Sequence, residues 1–365
     1  MRFYTSVYQR FNEMLVRGYE NGKHFSYREE FHPTFYVPSK KESKWKTLDG
    51  KNVEPIKPGK ISDCKEFVDK YSDVNGFAIY GNDRYVAQYI SDKYPEDEIK
   101  FDISKIGLYT IDIEVAAEDG FPDIFNVAEE LLAITLQDAA TKHITCFASR
   151  PFNNTRKDVT FIKCNDEYDM MYRFLDWWEA TAPDVITGWN CELYDIPYIV
   201  RRFERLLGEK EAKRLSPWKN VRQRELQMHG RPQITCEIAG ITVIDYLDLY
   251  KKFTYTNQES YRLDHIAFVE LGQRKLDHSE FDTFKDFYTG NFQKFIEYNI
   301  IDVELVDRLE DKMRLIELAL TMAYDAKVNY ADVFFQVRTW DAIIYNYLKR
   351  KNIVIPPKEI GRAHV

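Results

Sequence analysis

Apolar and polar residues follow two periods along this chain, and each period predicts a kind of element. Exchange at every second position, with β-branched and aromatic types favoured, predicts a strand; recurrence every three to four positions predicts a helix. Residues 15–20 and 23–31 are strand-like and flank Asn21-Gly22, the pair that closes a two-residue hairpin. Residues 32–38 continue as an aromatic strand, 40–60 are rich in Lys and Pro and read as loop, and 62–71 and 83–94 have helical spacing. The pattern changes at Lys105. A strand over 109–115 runs into an Asp119-Gly120-Phe121-Pro122 turn, and 131–137 and 143–148 read as antiparallel strands. Residues 165–180 form an amphipathic helix capped by Asn165 or Asp166, with Met170, Met171, Phe174, Leu175 and Trp178 inward. A short apolar strand over 184–189 ends in Gly188-Trp189-Asn190, and Asp195-Ile196-Pro197 opens a helix with Asp195 as N-cap.

Further on, residues 222–228 and 233–238 flank His229-Gly230-Arg231-Pro232 and read as a protruding hairpin. Residues 241–250 return to strand and short helix, and 291–327 read as one long helical region. A last helix over 339–351 carries an apolar stripe of Trp340, Ile343, Ile344, Tyr347 and Leu348, which is expected to be buried. Beyond Ile355 the chain is expected to be disordered on its own. Neither internal repeats nor low-complexity segments are visible.

The strand Tyr109-Thr110-Ile111-Asp112-Ile113-Glu114-Val115 departs from its own pattern. Asp112 and Glu114 are two apart, so their side chains share a face of the strand. Two like charges there repel and raise each other's pKa unless a cation lies between them. A hard divalent cation takes carboxylate oxygens and would answer that repulsion. The plainer reading is a solvated edge strand with two surface acids.

Composition narrows the field. With 365 residues, two domains are expected. Net charge is -8, so any nucleic-acid site must rest on a local basic patch. The segment 205–231 supplies one, with Arg205, Lys210, Lys213, Arg214, Lys219, Arg222, Arg224 and Arg231 outnumbering Glu209, Glu211 and Glu225. A merely solvated hairpin face fits the same residues. The five cysteines form no Cys-x-x-Cys pair and have no His at zinc spacing, which favours free thiols in a reducing compartment. No stretch approaches the ~18 apolar residues of a membrane span. No apolar run follows Met1-Arg2-Phe3-Tyr4-Thr5, so no signal peptide is expected and the cytoplasm is the expected location.

Tyr298-Asn299-Ile300-Ile301-Asp302 lies within the long helical region, with Tyr298 and Asp302 on one face. Asp112 and Glu114 on a strand, Asp195 at a helix start and Asp302 one turn after a Tyr together resemble the Tyr-bearing DEDD nuclease pattern. Residues 109–115, Thr187-Gly188-Trp189-Asn190 through Asp195-Ile196-Pro197-Tyr198, and 298–302 look like the three exonuclease motifs of B-family DNA polymerases. Ala212-Lys213-Arg214-Leu215-Ser216-Pro217, Asp248-Leu249-Tyr250-Lys251-Lys252-Phe253, Thr256-Asn257-Gln258 and Thr339-Trp340-Asp341-Ala342-Ile343-Ile344 are more specific, resembling the replicative polymerases of T-even-type bacteriophages.

That resemblance implies an α/β (α+β) architecture. An RNase H-like exonuclease domain, with a mixed sheet and flanking helices, would occupy about 105–312. A smaller α+β N-terminal domain of residues 1–104 would be completed by 313–365. It implies a 3′→5′ exonuclease acting on single-stranded DNA or a frayed primer 3′ end through two divalent metal ions, Mg²⁺ or Mn²⁺. Asp112, Glu114, Asp195 and Asp302 would be the ligands, Tyr298 would position the attacking water, and Lys275 would be an active-site lysine. Phe121 would stack on the frayed end and Asn190 would contact DNA. The hairpin, with Arg222, Arg224 and Arg231, would hold separated strands. The family's polymerase motifs, Asp-x-x-Ser-Leu-Tyr-Pro-Ser and the Asp-Thr-Asp pair, are absent, and the sequence stops at Gly361-Arg362-Ala363-His364-Val365. The expectation is therefore a cut piece or the N-terminal product of a split gene, whose partner is a polymerase-body polypeptide or the rest of the same chain. Two rival readings remain: a nucleic-acid-binding module centred on residues 1–104, and a scaffold half active only with its polymerase half.

Overall fold

The computed structural model describes residues 1–356 apart from 73, 75, 76, 83, 118, 119 and 229. They form two compact units, one of Met1–Phe101 with the chain from Ala319 onward, the other of Asp102–Leu318. The expectations for Asp83, for Asp119 in its turn, for His229 in the hairpin and for the tail from residue 357 fall outside the described residues.

In the first unit β1 (Arg2–Arg10), β2 (Glu13–Glu20) and β3 (Lys23–Glu30) form an antiparallel sheet. Asn21 and Gly22 take left-handed backbone, φ 52° and 77°, as the tight turn between β2 and β3 requires. The sequence pattern missed β1 because Phe3 to Val7 are buried on both faces, which erases alternation. A second sheet has the order β4-β6-β5, from β4 (Phe35–Pro38), β5 (Trp45–Lys46) and β6 (Asn52–Ile56). Residues 40–60 are thus not loop throughout. Pro55 is tolerated in β6 because it faces Tyr36 of β4, while β5 pairs only at Asn52 and Val53, so one side needs no amide donor. Helices α1 (Ile61–Tyr71) and α2 (Tyr85–Lys93) follow.

The second unit is built on a six-stranded mixed sheet. It comprises β7 (Leu108–Val115), β8 (Leu131–Asp138), β9 (Ile144–Ala148), β10 (Val159–Lys163), β11 (Val185–Gly188) and β14 (Thr242–Asp245). The order is β10-β9-β8-β7-β11-β14, with β8 antiparallel to both neighbours and the other pairs parallel. This is an RNase H-like sheet with β7 inside it. Between β11 and β14 the chain makes the hairpin of β12 (Val221–Met228) and β13 (Arg231–Ile238).

Helices cover both faces. On one, α3 (Glu167–Thr181) and α4 (Asp195–Leu207) bury Phe174, Trp178, Ile196 and Phe203 against Ile111, Ile113 and Val115 of β7. Asp166 caps α3 by accepting from the Asp169 amide. Then come α5 (Glu209–Ala212), α6 (Tyr246–Phe253), α7 (Leu263–Leu271), α8 (Phe284–Gly290) and α9 (Phe292–Met313). The other face receives α9, whose Ile296, Ile300 and Val303 pack with Leu132 and Ala133 of β8.

The long helical region over 291–327 is made of two helices, α9 and α10 (Leu315–Ala326), separated at Arg314, which has left-handed backbone of φ 53°. The Glu310 carboxylate accepts from the Ile316 amide at 3.0 Å and the Glu317 amide at 3.3 Å, satisfying donors that begin α10. Within the first unit the returning chain is bonded to β1. The Tyr324 hydroxyl donates to the Tyr4 carbonyl at 2.7 Å, and the Asn329 side chain holds both the amide and the carbonyl of Val7, at 3.0 and 2.8 Å. The last helix is α11 (Gln336–Arg350). Its predicted buried stripe is only partly covered: Ile343 and Leu348 are half-buried, Trp340, Ile344 and Tyr347 are exposed, and Thr339, Ala342, Tyr345 and Asn346 are the buried residues. Asn346 lies on the packed face because its amide nitrogen donates to the Ala326 and Ala342 carbonyls, a polar anchor that hydrophobicity alone did not reveal.

Candidate active site

β7 carries Ile111, Ile113 and Val115 into the core on one face, which turns Asp112 and Glu114 to the other, where α9 packs. α9 brings Asp302 to them. Oxygens of Asp112, Glu114 and Asp302 lie within 4.8 Å of one another, with Glu114 and Asp302 buried and Asp112 half-buried. Asn299, one helical turn before Asp302 and buried, donates from its amide nitrogen to Asp112 Oδ2 at 2.6 Å.

Asp195 arrives differently from the expectation. It is the first residue of α4 rather than its cap, and Tyr194 occupies the cap position without a capping side-chain bond. Asp195 Oδ1 instead accepts from the Ile113 amide of β7 at 3.0 Å. Asp195 lines the same cavity of about 660 Å³ as Asp112, Glu114, Asp302, Lys275 and Tyr298, outside the tight group of three. The approach to α4 depends on Gly188: a Cβ there would lie 2.5 Å from the Ile111 carbonyl oxygen.

Lys275 Nζ donates to the Tyr298 hydroxyl at 3.1 Å and to Asp302 Oδ2, and lies 4.9 Å from the Tyr298 ring centre. Asp264 holds this lysine's backbone, accepting from the Lys275 amide at 3.0 Å and from Arg274 at 2.7 Å. His278 stacks on Phe287 and meets the Tyr298 ring edge-on at 5.4 Å.

The electrostatics follow. Burial, then the charge of Asp302, push Glu114 up to about 8. Burial also raises Asp195 to about 7, against the pull of the Ile113 hydrogen bond. Asp112 is raised well above the carboxylate range by burial, then by Asp302, Asp195 and Glu114. For Lys275 burial works downward, but Asp302, Tyr298 and Asp112 outweigh it and keep the ammonium charged. Burial and then Asp302 raise Tyr298, so it remains a neutral phenol. Each ionised carboxylate pair inside 4.8 Å costs about 3 kcal/mol or more at an effective dielectric of ~20. One lysine cannot offset three such acids. Asp302 Oδ1 is moreover buried with no hydrogen-bond partner. An all-oxygen donor set with an orphaned carboxylate oxygen and surplus negative charge fits a hard divalent cation.

Residues 73–266, over half the chain, match the model of DNA polymerase family B, exonuclease domain. The chain belongs to DNA polymerase family B. It is 33% identical to the DNA-directed DNA polymerase of Escherichia phage RB69 over 99% of this chain, and 34% identical to that of Enterobacteria phage T4 over 97%. It is 26% identical, over 70% of its length, to the DNA polymerase delta catalytic subunit of Plasmodium falciparum. The chain spans 42% of the length of each of the two phage relatives. The family match ends before Lys275, Tyr298 and Asp302, so their place in the site rests on the geometry.

Of the candidate DNA contacts in this family B exonuclease domain, Phe121 and Asn190 line the cavity. Phe121 is 79% exposed, with its ring 4.8 Å from that of Tyr194. Arg222, Arg224 and Arg231 are exposed on the hairpin and do not line the cavity. The hairpin reaches an adjoining groove through Pro232 and Gln233, beside Phe121 and Tyr194. At least four of the eight basic residues of the segment 205–231 are paired with acids. Arg214 and Lys219 share Glu179, Lys213 pairs with Glu209, and Arg224 pairs with Glu237. Sequence reasoning missed Asn299, Asp264 and His278. A buried Asn inside the Tyr298–Asp302 turn was the one available signal. Asp264 and His278 act through neighbours that spacing does not identify. All five cysteines are free and buried. Among the described residues no helix is long and apolar enough to cross a membrane.

Proposed function

We propose that this chain is a 3′→5′ proofreading exonuclease that hydrolyses single-stranded or frayed DNA from its 3′ end. The observation that carries the reading is the meeting of Asp112, Glu114 and Asp302 within 4.8 Å beside the Lys275–Tyr298 pair. Asp112, Glu114, Asp302 and Asp195 would hold two divalent ions, Mg²⁺ or Mn²⁺. When bound, such ions neutralise the phosphodiester and lower the pKa of water.

The chain's own groups do the rest. Tyr298, kept as a phenol, accepts from Lys275 and can donate to or orient an attacking water. Lys275 fixes Tyr298 and Asp302 together and leaves positive charge near the reacting phosphate. Asn299 fixes the Asp112 carboxylate. Phe121 offers an exposed ring for the terminal base, Asn190 a polar contact, and the hairpin arginines contacts to separated strands. The phage relatives are named as DNA-directed DNA polymerases, so this domain would act together with a polymerase body, on the same chain or on a companion polypeptide.

The test is digestion of a 5′-labelled single-stranded oligonucleotide. A ladder shortening from the 3′ end is expected with Mg²⁺ or Mn²⁺, and none with EDTA. Ordinary digestion by the Asp112→Ala, Glu114→Ala double variant would overturn the assignment.

A further inference from the structure

Asp245 ends β14, is 2% exposed, and has no place in the chemistry above. Its carboxylate accepts three backbone amides. Oδ1 takes Asn190 at 3.0 Å and Leu247 at 2.9 Å, and Oδ2 takes Glu192 at 3.0 Å. The Leu247 bond caps α6. The other two reach across to the turn that leaves β11 and leads to Asp195.

That turn is otherwise expensive to hold. Asn190 has left-handed backbone of φ 66°, and no strand pairing extends past Gly188. Its carbonyl accepts from the Leu193 and Tyr194 amides, so the Asn190 conformation is passed directly to the start of α4. Trp189 is fixed by donation from Nε1 to the Tyr261 carbonyl at 3.0 Å. Trp189 and Asn190 both line the catalytic cavity, whereas Asp245 does not. An ionised carboxylate is the suitable group, because it has only acceptor sites and can meet three amides with two oxygens.

We propose that Asp245 is a positioning residue: it clamps the Trp189–Glu192 turn so that the Trp189 and Asn190 side chains meet the terminal nucleotide. This rests on the exonuclease reading of the site. In the Asp245→Asn variant one oxygen becomes an amide nitrogen facing an N–H, so one or two of the three bonds are lost; Asp245→Ala loses all three.

Two measurements on the whole chain test it. In the wild type, the Asn190 and Glu192 amides should be strongly protected in hydrogen exchange, which requires no variant to fold; rapid exchange of both overturns the proposal. Single-stranded DNA binding in EDTA, and KM and kcat with Mg²⁺, are then compared across variants. Loss of a hydrogen bond to a charged group should raise Kd and KM roughly tenfold in Asp245→Asn and more in Asp245→Ala, with kcat moved less. Asp166→Ala, which removes the cap of α3 away from the cavity, controls for general loosening and should lower Tm with KM unchanged. An Asp245→Asn protein that loses Tm but keeps wild-type Kd and KM overturns the clamp. If the wild type itself neither binds nor digests single-stranded DNA, it is the exonuclease reading that fails.

Discussion

Glu114 is held where its charge is unwelcome until a cation is present, and this gives the metal-free protein a definite pH response. Its folded pKa, about 8, lies above the value of a free glutamate, as does that of Asp195 at about 7. A raised acid favours the folded state in its protonated form. That stability is complete below the unfolded pKa of ~4.3 and is lost as pH rises through the folded value. In EDTA the melting temperature attributable to this site should therefore fall between about pH 5 and 8, less so in Glu114→Gln, and Mg²⁺ should restore it at pH 8. A melting temperature in EDTA no more sensitive to pH in the wild type than in Glu114→Gln would refute this. Asp112 and Asp302 should separate as well. Asp112→Asn removes a repelled charge and keeps an acceptor for Asn299, so metal-free stability should hold or rise. Asp302→Asn leaves the three-quarters-buried Lys275 side chain without its counter-ion and should cost about 1–3 kcal/mol. Both should slow digestion by ~10²-fold or more, since several kcal/mol of charge stabilisation is lost. Thermal melts in EDTA beside initial rates in Mg²⁺ check the contrast.

Among the secondary-structure elements, what the sequence made legible followed periodicity. Asp112 and Glu114 were readable because a strand repeats every two residues, and Tyr298 with Asp302 because a helix nearly repeats every four. β1 and β6 were not, since burial on both faces hides one and a proline disguises the other. Asp195 is legible as a site residue but its bond to the Ile113 amide is not, because a cap is a local pattern and Ile113 is 82 positions away. Asn299 reaches Asp112 across 187 positions, and no spacing rule spans that. The β12–β13 hairpin was predicted correctly as an element, and the basic segment before it is partly offset by acids of α3, which pair Arg214 and Lys219 from outside 205–231. Within the hairpin Glu225 and Glu237 oppose Arg222, Arg224 and Arg231, so its contribution should be geometric more than coulombic. Removing residues 223–233 should slow digestion at a duplex end more than digestion of a single strand. Phe121→Ala, by contrast, should weaken single-strand binding by about 1–3 kcal/mol through lost stacking. Equal effects of the hairpin deletion on both substrates would sink the strand-separating role.

The two units also differ in how their chain is spent. Asp102–Leu318 is continuous, whereas the first unit uses both flanks of the sequence. The returning flank is part of that unit's core. Tyr4 is fully buried, and its ring packs against Tyr324 and Tyr330 at centroid distances of 5.3 and 6.5 Å. Lys327, itself buried, donates to the carbonyls of Tyr94 and Glu96. A chain ending at residue 312 therefore removes more than a tail. It uncovers Phe3 and Tyr4, leaves the Val7 amide and carbonyl without Asn329, and strips the aromatic packing of β1. Aromatic side chains of this size dominate core energetics, so the loss should exceed what a domain stable by only ~5–15 kcal/mol tolerates. The truncated protein should be aggregation-prone, with the first unit's resonances or protease protection lost. Any folded Asp102–Met313 unit should keep its carboxylate cluster, because every residue of that cluster lies within it. Size-exclusion chromatography with limited proteolysis of both forms checks this. A soluble, monomeric 1–312 protein with Met1–Phe101 still protected would show that the returning flank is dispensable.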